Sequence, residues 1–167
     1  MREQPHTCCF TGHRPEKLPW GDNESDPRCA ALKQKIYDAI ETAYREGIRH
    51  YICGMARGCD FYFAEAVIAL RRVHGDVTLE AAIPYPGQSN SWQDKDQNRW
   101  HSILAQCDTE TIIEEHYTKL CMLRRNWYMV DHSALVIAVY DGAGGGTRRT
   151  LEYALRKKVP FLDISPE

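Results

Sequence analysis

Several patterns that define common protein classes are missing from this 167-residue chain. No apolar run approaches the ~20 residues that a membrane-spanning helix needs, so the sequence predicts no membrane association. Residues 1–6 contain no apolar stretch of the kind that forms a secretory signal, and we therefore expect a cytoplasmic protein. The formal net charge of −2 gives no electrostatic reason to expect strong binding to a DNA backbone.

Metal-site and disulfide patterns are also missing. The seven cysteines include no C-x-x-C pair, and their odd number fits free thiols better than a disulfide framework. Cys8, Cys9 and Cys53 lie inside apolar runs, where cysteine packs as a small hydrophobic residue. The seven histidines show no ligand spacing. The sequence therefore predicts no metal site.

Two common nucleotide-binding motifs are absent as well. No strand end carries the Walker-type G-x-x-x-x-G-K-[ST], and none carries G-x-G-x-x-G. These absences make an ordinary NTPase or dinucleotide enzyme a weak interpretation, because both classes need those glycines to seat phosphates. We accordingly expect no resident cofactor.

The chain instead shows apolar runs that alternate with amphipathic segments, which predicts a single doubly wound domain over residues 1–167. This domain is expected to be a Rossmann-like α/β fold with a mostly parallel sheet of about six strands. Pro160 favours an edge position for the last strand. The expected strands are 7–10, 48–53, 77–83, 109–113, 134–140 and 159–164. The expected helices begin near Asp26, Asp60, Ser91, Thr118 and Thr147, with N-caps at Asp26, Asp60 and Thr147 and a capping box between Ser91 and Asp94.

A glycine-rich turn after the fifth strand is the most informative segment. Residues 134–140 form an apolar run, and Asp141-Gly-Ala-Gly-Gly-Gly-Thr147 follows it directly. Glycines let backbone N–H groups approach a ligand closely, and a helix that begins at Thr147 would direct its dipole at the same place. This arrangement predicts an anion site, most naturally for phosphate. A plain tight connection between strand and helix is the alternative.

Function is expected at the carboxyl ends of the strands, where open α/β sheets bind ligands near the switch in strand order. Glycine-rich or polar loops follow the first, second, third and fifth predicted strands, so they would converge on one edge of the sheet. The candidate ligand-binding residues are Thr11, Gly12, His13, Arg14, Gly54, Arg57, Gly58, Asp60, Arg125, Asp141, Gly142, Gly144, Gly145, Gly146 and Thr147.

Several of these residues have a structural interpretation beside the functional one. His13 and Arg14 could be solvated loop charges, and Arg57 could pair with Asp60 or Glu65. Asp60 is better suited to capping a helix than to acid catalysis. Arg125 could clamp a buried phosphate or form a surface ion pair.

The same ambiguity applies to three other features. Asp141 could bind a ribose or simply form a turn. Trp92 and Trp100, eight residues apart, could share one face of the third helix, where packing is a more common role than base stacking. The loop that bears Trp20 could fold over a ligand as a lid.

Four stretches of the sequence resemble known families. Gly54-Met-Ala-Arg-Gly-Cys-Asp60 with Ala64 is similar to a turn of the DprA (Smf) DNA-processing proteins. Met122-x-x-Arg125-Asn126-x-x-Met129, with Gly146-Thr147, resembles the LOG-type nucleotide phosphoribohydrolases. Cys9–Pro19 and Val130–Thr147 resemble most closely the bacterial YpsA-like branch of the SLOG superfamily. The resemblance spans nearly the whole chain and implies a Rossmann-like protein with a nucleotide-type ligand.

The resemblance to LOG-type enzymes is incomplete at one catalytic position. Those enzymes hydrolyse an N-glycosidic bond with an arginine and a glutamate. Arg125 matches the arginine, but Thr150 occupies the position of the glutamate. Without that carboxylate, the group that would stabilise the transition state or position water is missing. Glu16 and Glu65 are the candidates for a carboxylate recruited from another segment.

Three functional hypotheses follow. The first is a sensor or regulatory module for a nucleotide or nucleotide-derived small molecule, which could act with a protein partner or as a homo-oligomer. The second is a nucleoside-monophosphate hydrolase of the phosphoribohydrolase type. The third is single-stranded DNA binding as in DprA, which the low net charge makes the least favoured because such binding needs a positive groove.

Overall fold

Strands and helices alternate along the chain in the computed structural model, which describes residues 5–167. The residues before position 5, on which part of the expectation about a secretory signal rests, lie outside the described range. The strands are β1 (Thr7–Thr11), β2 (His50–Cys53), β3 (Thr78–Ile83), β4 (Thr109–Ile112), β5 (Leu135–Val139) and β6 (Phe161–Ile164). The helices are α1 (Pro27–Arg45), α2 (Cys59–His74), α3 (Asp94–Ala105), α4 (Cys121–Asp131) and α5 (Gly146–Arg156), and a 3₁₀ turn (Pro15–Lys17) follows β1.

The six strands form one parallel sheet in the order β4-β3-β2-β1-β5-β6. The predicted doubly wound, Rossmann-like α/β fold is therefore confirmed. β1 is central, and all five of its residues are buried. β6 lies at an edge, as Pro160 predicts, and the Pro160 carbonyl still accepts a hydrogen bond from the Val136 N–H.

Each face of the sheet has its own hydrophobic core. On one face, residues of α1, α2 and α3 pack around Phe10, whose ring stacks on Phe63 with 4.7 Å between the centroids. On the other face, residues of α4 and α5 cover Cys9 and Val136. Adjacent residues of β1 thus face opposite cores, as alternation along a strand requires. All seven cysteines are free, and burial raises the pKa of the Cys9 thiol to about 12.

Helix starts agree with the sequence at α1 and differ at α2 and α5. Asp26 caps α1 as predicted, because its carboxylate accepts from the Arg28 N–H at 2.8 Å. The expected caps Asp60 and Thr147 instead lie inside the first turns, and Gly58 and Gly145 occupy the cap positions. Asp60 turns back to accept from the Ala56 N–H at 3.0 Å, so it holds the preceding loop rather than the helix end.

The start of α3 also corrects the sequence expectation. Gln93 occupies the cap position without a side-chain bond, so the capping box of Ser91 and Asp94 does not form. Trp92 consequently lies before the helix, and it does not share a helical face with Trp100. Both indoles pack: Trp92 meets Phe61 edge-on at 6.0 Å, and Trp100 is buried.

The loop that bears Trp20 belongs to the core. Trp20 and Leu18 expose only 6% and 5% of their surfaces and join the cluster formed by α1 and α2. In the structure this loop packs as part of the core, and opening it would expose two large apolar side chains. Among residues 5–167, no helix is long and apolar enough to cross a membrane.

The strand order places the carboxyl ends of β1 and β5 next to each other. After β1 the chain builds β2, β3 and β4 on one side, and it returns to the other side of β1 for β5 and β6. The switch in strand order therefore falls between β1 and β5. The loop after β1 and the glycine-rich turn after β5 meet at this point.

The glycine before α2 offers a test of how tightly this edge is packed. Gly58 has φ +82°, and a Cβ there would lie 2.8 Å from the His13 carbonyl oxygen. Gly75 has φ +81° with open space around it, so it serves as the reference for a positive φ without a clash. Its ψ of −20° lies in the left-handed helical region, whereas the ψ of −125° at Gly58 is one that a residue with a side chain rarely adopts. We expect Gly75→Ala to lose about 1 kcal/mol from backbone strain alone. Gly58→Ala should lose about 1 to 3 kcal/mol more, through the clash and the additional backbone strain together. Urea unfolding measures both, and equal losses would contradict the close packing.

Candidate functional site

Two connected cavities open where the loop after β1 meets the turn after β5. The outer cavity has a volume of about 310 Å³ and is lined by Gly12, His13, Arg14, Glu16, Lys17, Gly144, Gly146 and Thr147. The inner cavity, of about 120 Å³, is lined by Phe10, Thr11, Gly12, Arg14, Ala56, Asp60, Met122, Arg125, Asn126, Met129, Gly146 and Thr147. Because four residues line both cavities, we treat them as one cleft.

The glycine-rich turn shapes the junction between the two cavities. Gly145 has φ +132° immediately before α5, and Gly146 and Thr147 then form the first residues of that helix. N–H groups of a first helical turn have no partner within the helix, so they are available to a ligand. Gly146 and Thr147 line both cavities. The turn thus has the composition and position of an anion site.

Two cationic side chains stand at the mouth of the outer cavity. Arg14 is exposed, and its guanidinium forms no hydrogen bond or ion pair with another residue of the described range. Lys17 donates from Nζ to the Gly144 carbonyl at 3.2 Å and so reaches across from the loop to the turn. The sequence reasoning missed Lys17. The sequence feature that could have indicated it is the spacing of three residues from Arg14, because residues three apart lie on the same side of a 3₁₀ turn.

His13 and Asp141 face each other between the loop and the turn. His13 is buried, with Nε2 3.3 Å from Asp141 Oδ1, so the alternative of a solvated loop charge is wrong for this residue. Asp141 accepts from the Ala143 N–H at 2.9 Å, which holds the pKa of its carboxyl below the usual range. Asp141 does not line either cavity. Its turn-forming role is therefore the one seen.

Arg125 forms part of the floor of the inner cavity and is only 5% exposed. It donates from Nη1 to the Gly54 carbonyl and from Nε to Asn126 Oδ1 at 2.7 Å. A Cβ on Gly54 would lie 2.9 Å from Nη1, so this position needs glycine for the guanidinium to approach. Arg125 is thus a buried donor, and the alternative of a surface ion pair is wrong.

Asp60 lies in the wall of the inner cavity near Arg125. Its Oδ2 accepts from the Ala56 N–H, while burial raises the pKa of the carboxyl to about 6 and the charge of Arg125 opposes that shift. Burial also lowers the pKa of Arg125, and Asp60 counters it. The two charges therefore stabilise each other at a buried position.

Other predicted site residues shape the cleft without lining it. Arg57 pairs with Glu16 at 2.5 Å, so neither of its expected partners, Asp60 and Glu65, is the observed one. Gly58 packs under the His13 carbonyl. Gly142 and Gly145 supply positive φ angles to the turn.

Of the two carboxylates proposed as recruited catalysts, one lies in the cleft and the other lies outside it. Glu16 lines the outer cavity, and Arg57 holds its pKa below the usual range. Glu65 lies on α2, pairs with Arg99 at 2.6 Å and is not among the residues of the cleft, which corrects its candidacy. Thr150 is buried, and its hydroxyl donates to the Gly146 carbonyl at 2.9 Å.

Within residues 5–167, no three His, Cys, Asp or Glu side chains converge as metal ligands.

Asp60 should make stability depend on pH in a defined direction. Its folded pKa of about 6 exceeds the unfolded value of ~3.9, so the folded state binds the proton more tightly and stability falls as pH rises from about 4 to 6. Asp60→Asn cannot titrate. We expect its free energy of unfolding, relative to wild type, to rise by about 2 to 3 kcal/mol between pH ~4 and ~7. Urea unfolding measures this difference, and Asp163→Asn, an exposed carboxylate, is the control. A constant difference across this range would contradict the buried placement of Asp60.

Solved structures with the same fold include two DNA processing proteins. Protein A of Helicobacter pylori, described as binding single-stranded DNA, aligns with a TM-score of 0.63 and 16% identity over 96% of this chain. Protein A of Streptococcus pneumoniae aligns with a TM-score of 0.60 and 13% identity over 94% of the chain. This chain spans 65% and 50% of their respective lengths. At these identities the likeness shows the fold alone.

Sequence relatives define the family. YoqJ, an uncharacterised SPbeta prophage-derived protein of Bacillus subtilis (strain 168), is 32% identical over 143 residues that cover 77% of this chain and 83% of the relative. A UPF0398 protein of Staphylococcus epidermidis is 28% identical over 137 residues, which cover 81% of this chain and 72% of the relative. The sequence profile of the YpsA family, described as the YspA SLOG family, matches residues 8–160. The chain therefore belongs to the YpsA SLOG family.

Proposed function

We propose that this protein binds a nucleotide or a nucleotide-derived small molecule in the cleft between β1 and β5 and acts as a sensor or regulatory module. The observation that carries the proposal is the start of α5, where Gly146 and Thr147 line both cavities beside the cationic side chains of Arg14 and Lys17. Backbone donors, a helix dipole and two cationic side chains converge there, and phosphate is the group that uses all three.

The shape of the cleft supports a ligand larger than phosphate. An outer cavity of about 310 Å³ falls within the size range of small-molecule sites, and the inner cavity extends it towards Arg125. The position at the switch in strand order is where open α/β sheets bind nucleotides. A phosphate at the junction would leave room for an attached group on either side.

A hydrolase of the phosphoribohydrolase type is the second candidate. Glu16 is the observation that favours it, because this carboxylate lines the outer cavity. Against it, Glu16 is ion-paired with Arg57, and the low pKa of its carboxyl makes it a weak base and leaves it without a proton to donate as an acid near neutral pH. The hydroxyl of Thr150 is engaged by the Gly146 carbonyl and offers no carboxylate. We therefore favour binding without turnover.

Single-stranded DNA binding is the third candidate, and the fold shared with DNA processing protein A of Helicobacter pylori keeps it open. The exposed cations Arg14 and Lys17 could contact a backbone phosphate. A strand binder needs a groove that follows several nucleotides. The cleft is instead a pair of confined cavities, which favours a small molecule. Fluorescence anisotropy with a labelled oligothymidylate tests this alternative directly.

A side chain at Gly146 should abolish ligand binding. Gly146 lines both cavities, and a Cβ there would stand in open space, with no atom beyond its chain neighbours and its own helix backbone within 4 Å. We expect wild type to be stabilised against heat by a nucleotide from a panel of nucleoside monophosphates, nucleoside diphosphates and dinucleotides. Gly146→Val should remove this stabilisation. At 100 times the dissociation constant, that stabilisation is about 2.7 kcal/mol.

Ala143→Val is the matched control, because Ala143 is an exposed residue of the same turn that lines neither cavity. This variant should bind as wild type does. A panel without any shift at millimolar concentration would contradict the proposed function, and equal binding by both variants would make the turn a plain connection.

Incubation with AMP or GMP should release no free base over hours, because the cleft has no carboxylate at the position of Thr150. Chromatography of the reaction mixture detects the base. Steady turnover would instead favour the hydrolase. In that case Glu16→Gln should lose it, while Glu65→Gln, whose carboxylate lies outside the cleft, should retain it.

A further inference from the structure

The inner cavity combines hydrogen-bond acceptors and donors in one small space. Asp60 is 7% exposed, and of its two carboxylate oxygens only Oδ2 has a hydrogen-bond donor, the Ala56 N–H, among the described residues. Thr11 is equally buried, and its hydroxyl forms no hydrogen bond in the same part of the chain. Both residues line the inner cavity, so each has unused hydrogen-bonding capacity beside it.

Arg125 supplies the donors of this cavity. A guanidinium has five N–H groups, and two of those on Arg125 are used by Gly54 and Asn126. A ligand group that only accepts hydrogen bonds, such as a phosphate, would satisfy Arg125 but would face the carboxylate of Asp60. A hydroxyl both donates and accepts, so it can satisfy both residues at once. Burial makes it costly to leave either the guanidinium or the carboxylate without a hydrogen-bond partner.

We infer that the inner cavity is a selectivity site for a sugar attached to the phosphate at the start of α5, with Asp60 as the acceptor that recognises the 2-hydroxyl of the sugar. The inference rests on the proposed function and adds a residue and a chemical class to it. It also replaces Asp141, which is engaged by the Ala143 N–H and lies outside both cavities. The phosphate would occupy the junction, where Gly146 and Thr147 line both cavities.

Sugar phosphates test this inference independently of the base. Isothermal titration near neutral pH compares ribose 5-phosphate with 2-deoxyribose 5-phosphate, and inorganic phosphate is measured in parallel. Because hydrogen bonds to charged groups are the strong ones, wild type should prefer the ribose compound by about tenfold or more. Asp60→Asn keeps an oxygen for the Ala56 N–H but presents no carboxylate, so the preference should fall to about threefold or less.

Asp163→Asn is the matched control, since it makes the same chemical change at an exposed position outside both cavities and should retain the preference for ribose. Equal affinity of wild type for the two sugar phosphates would overturn the inference, and this comparison needs no variant to fold. A preference that survives in Asp60→Asn would overturn the role of Asp60. Tighter binding of inorganic phosphate by Asp60→Asn, with no change in sugar preference, would mean that Arg125 holds an anion there.

Failure of this inference is distinct from failure of the proposed function. If a nucleotide of the panel binds and ribose 5-phosphate does not bind at millimolar concentration, the sugar site is wrong and the nucleotide cleft stands. If neither a nucleotide nor a sugar phosphate binds, both are wrong.

Discussion

The guanidinium of Arg125, buried at the carboxyl edge of the sheet, restricts which residues can surround it. Removing a charge from water is costly unless hydrogen bonds and an opposite charge replace the solvent. For Arg125 these are supplied by the Gly54 carbonyl, Asn126 and the nearby carboxylate of Asp60. Gly54 has to lack a side chain so that the guanidinium can approach its backbone. One buried cation thus determines the residue type or the conformation of each neighbour.

Further buried polar groups hold the Gly54 carbonyl that Arg125 contacts. Gln88 donates to the same Gly54 carbonyl at 3.1 Å, and its own side-chain oxygen accepts from the Trp100 indole at the same distance. A chain of hydrogen bonds therefore runs from α3 to the floor of the cleft. Such hydrogen-bond networks hold the Gly54 carbonyl, and with it the guanidinium of Arg125, in a fixed position. At the floor the charges of Arg125 and Asp60 offset each other, whereas Arg14 and Lys17, which form no ion pair among the described residues, stand at the rim.

The sequence predicted the fold because its main signals are local. Each apolar run is long enough to mark a strand, and the alternation with amphipathic segments is sufficient for a parallel sheet. Helix starts were less predictable, because Asp60 and Thr147 have the chemistry of caps but lie in first turns that begin at glycines. Local preference was overridden there by a tertiary requirement, which for Asp60 is the bond to Ala56.

The site was predictable where it depends on strand ends and less so where it depends on pairing across the chain. Thr11, Gly12 and Arg125 line the cleft as expected from their positions and motifs. The pairing of Arg57 with Glu16 joins residues 41 positions apart, and the sequence contains no signal that chooses this partner over others. The same limit explains why the reach of Lys17 to Gly144 was missed.

The position of β1 has a consequence for how the chain is made. This strand is first in the sequence and central in the sheet, and Cys8 pairs in register with Leu135. During synthesis β1 can pair early with β2, but its other edge stays open until β5 leaves the ribosome. Pairings between segments so distant in sequence form slowly, because the loop between them has to close first. The nascent protein therefore completes its central strand and its cleft in the same late step.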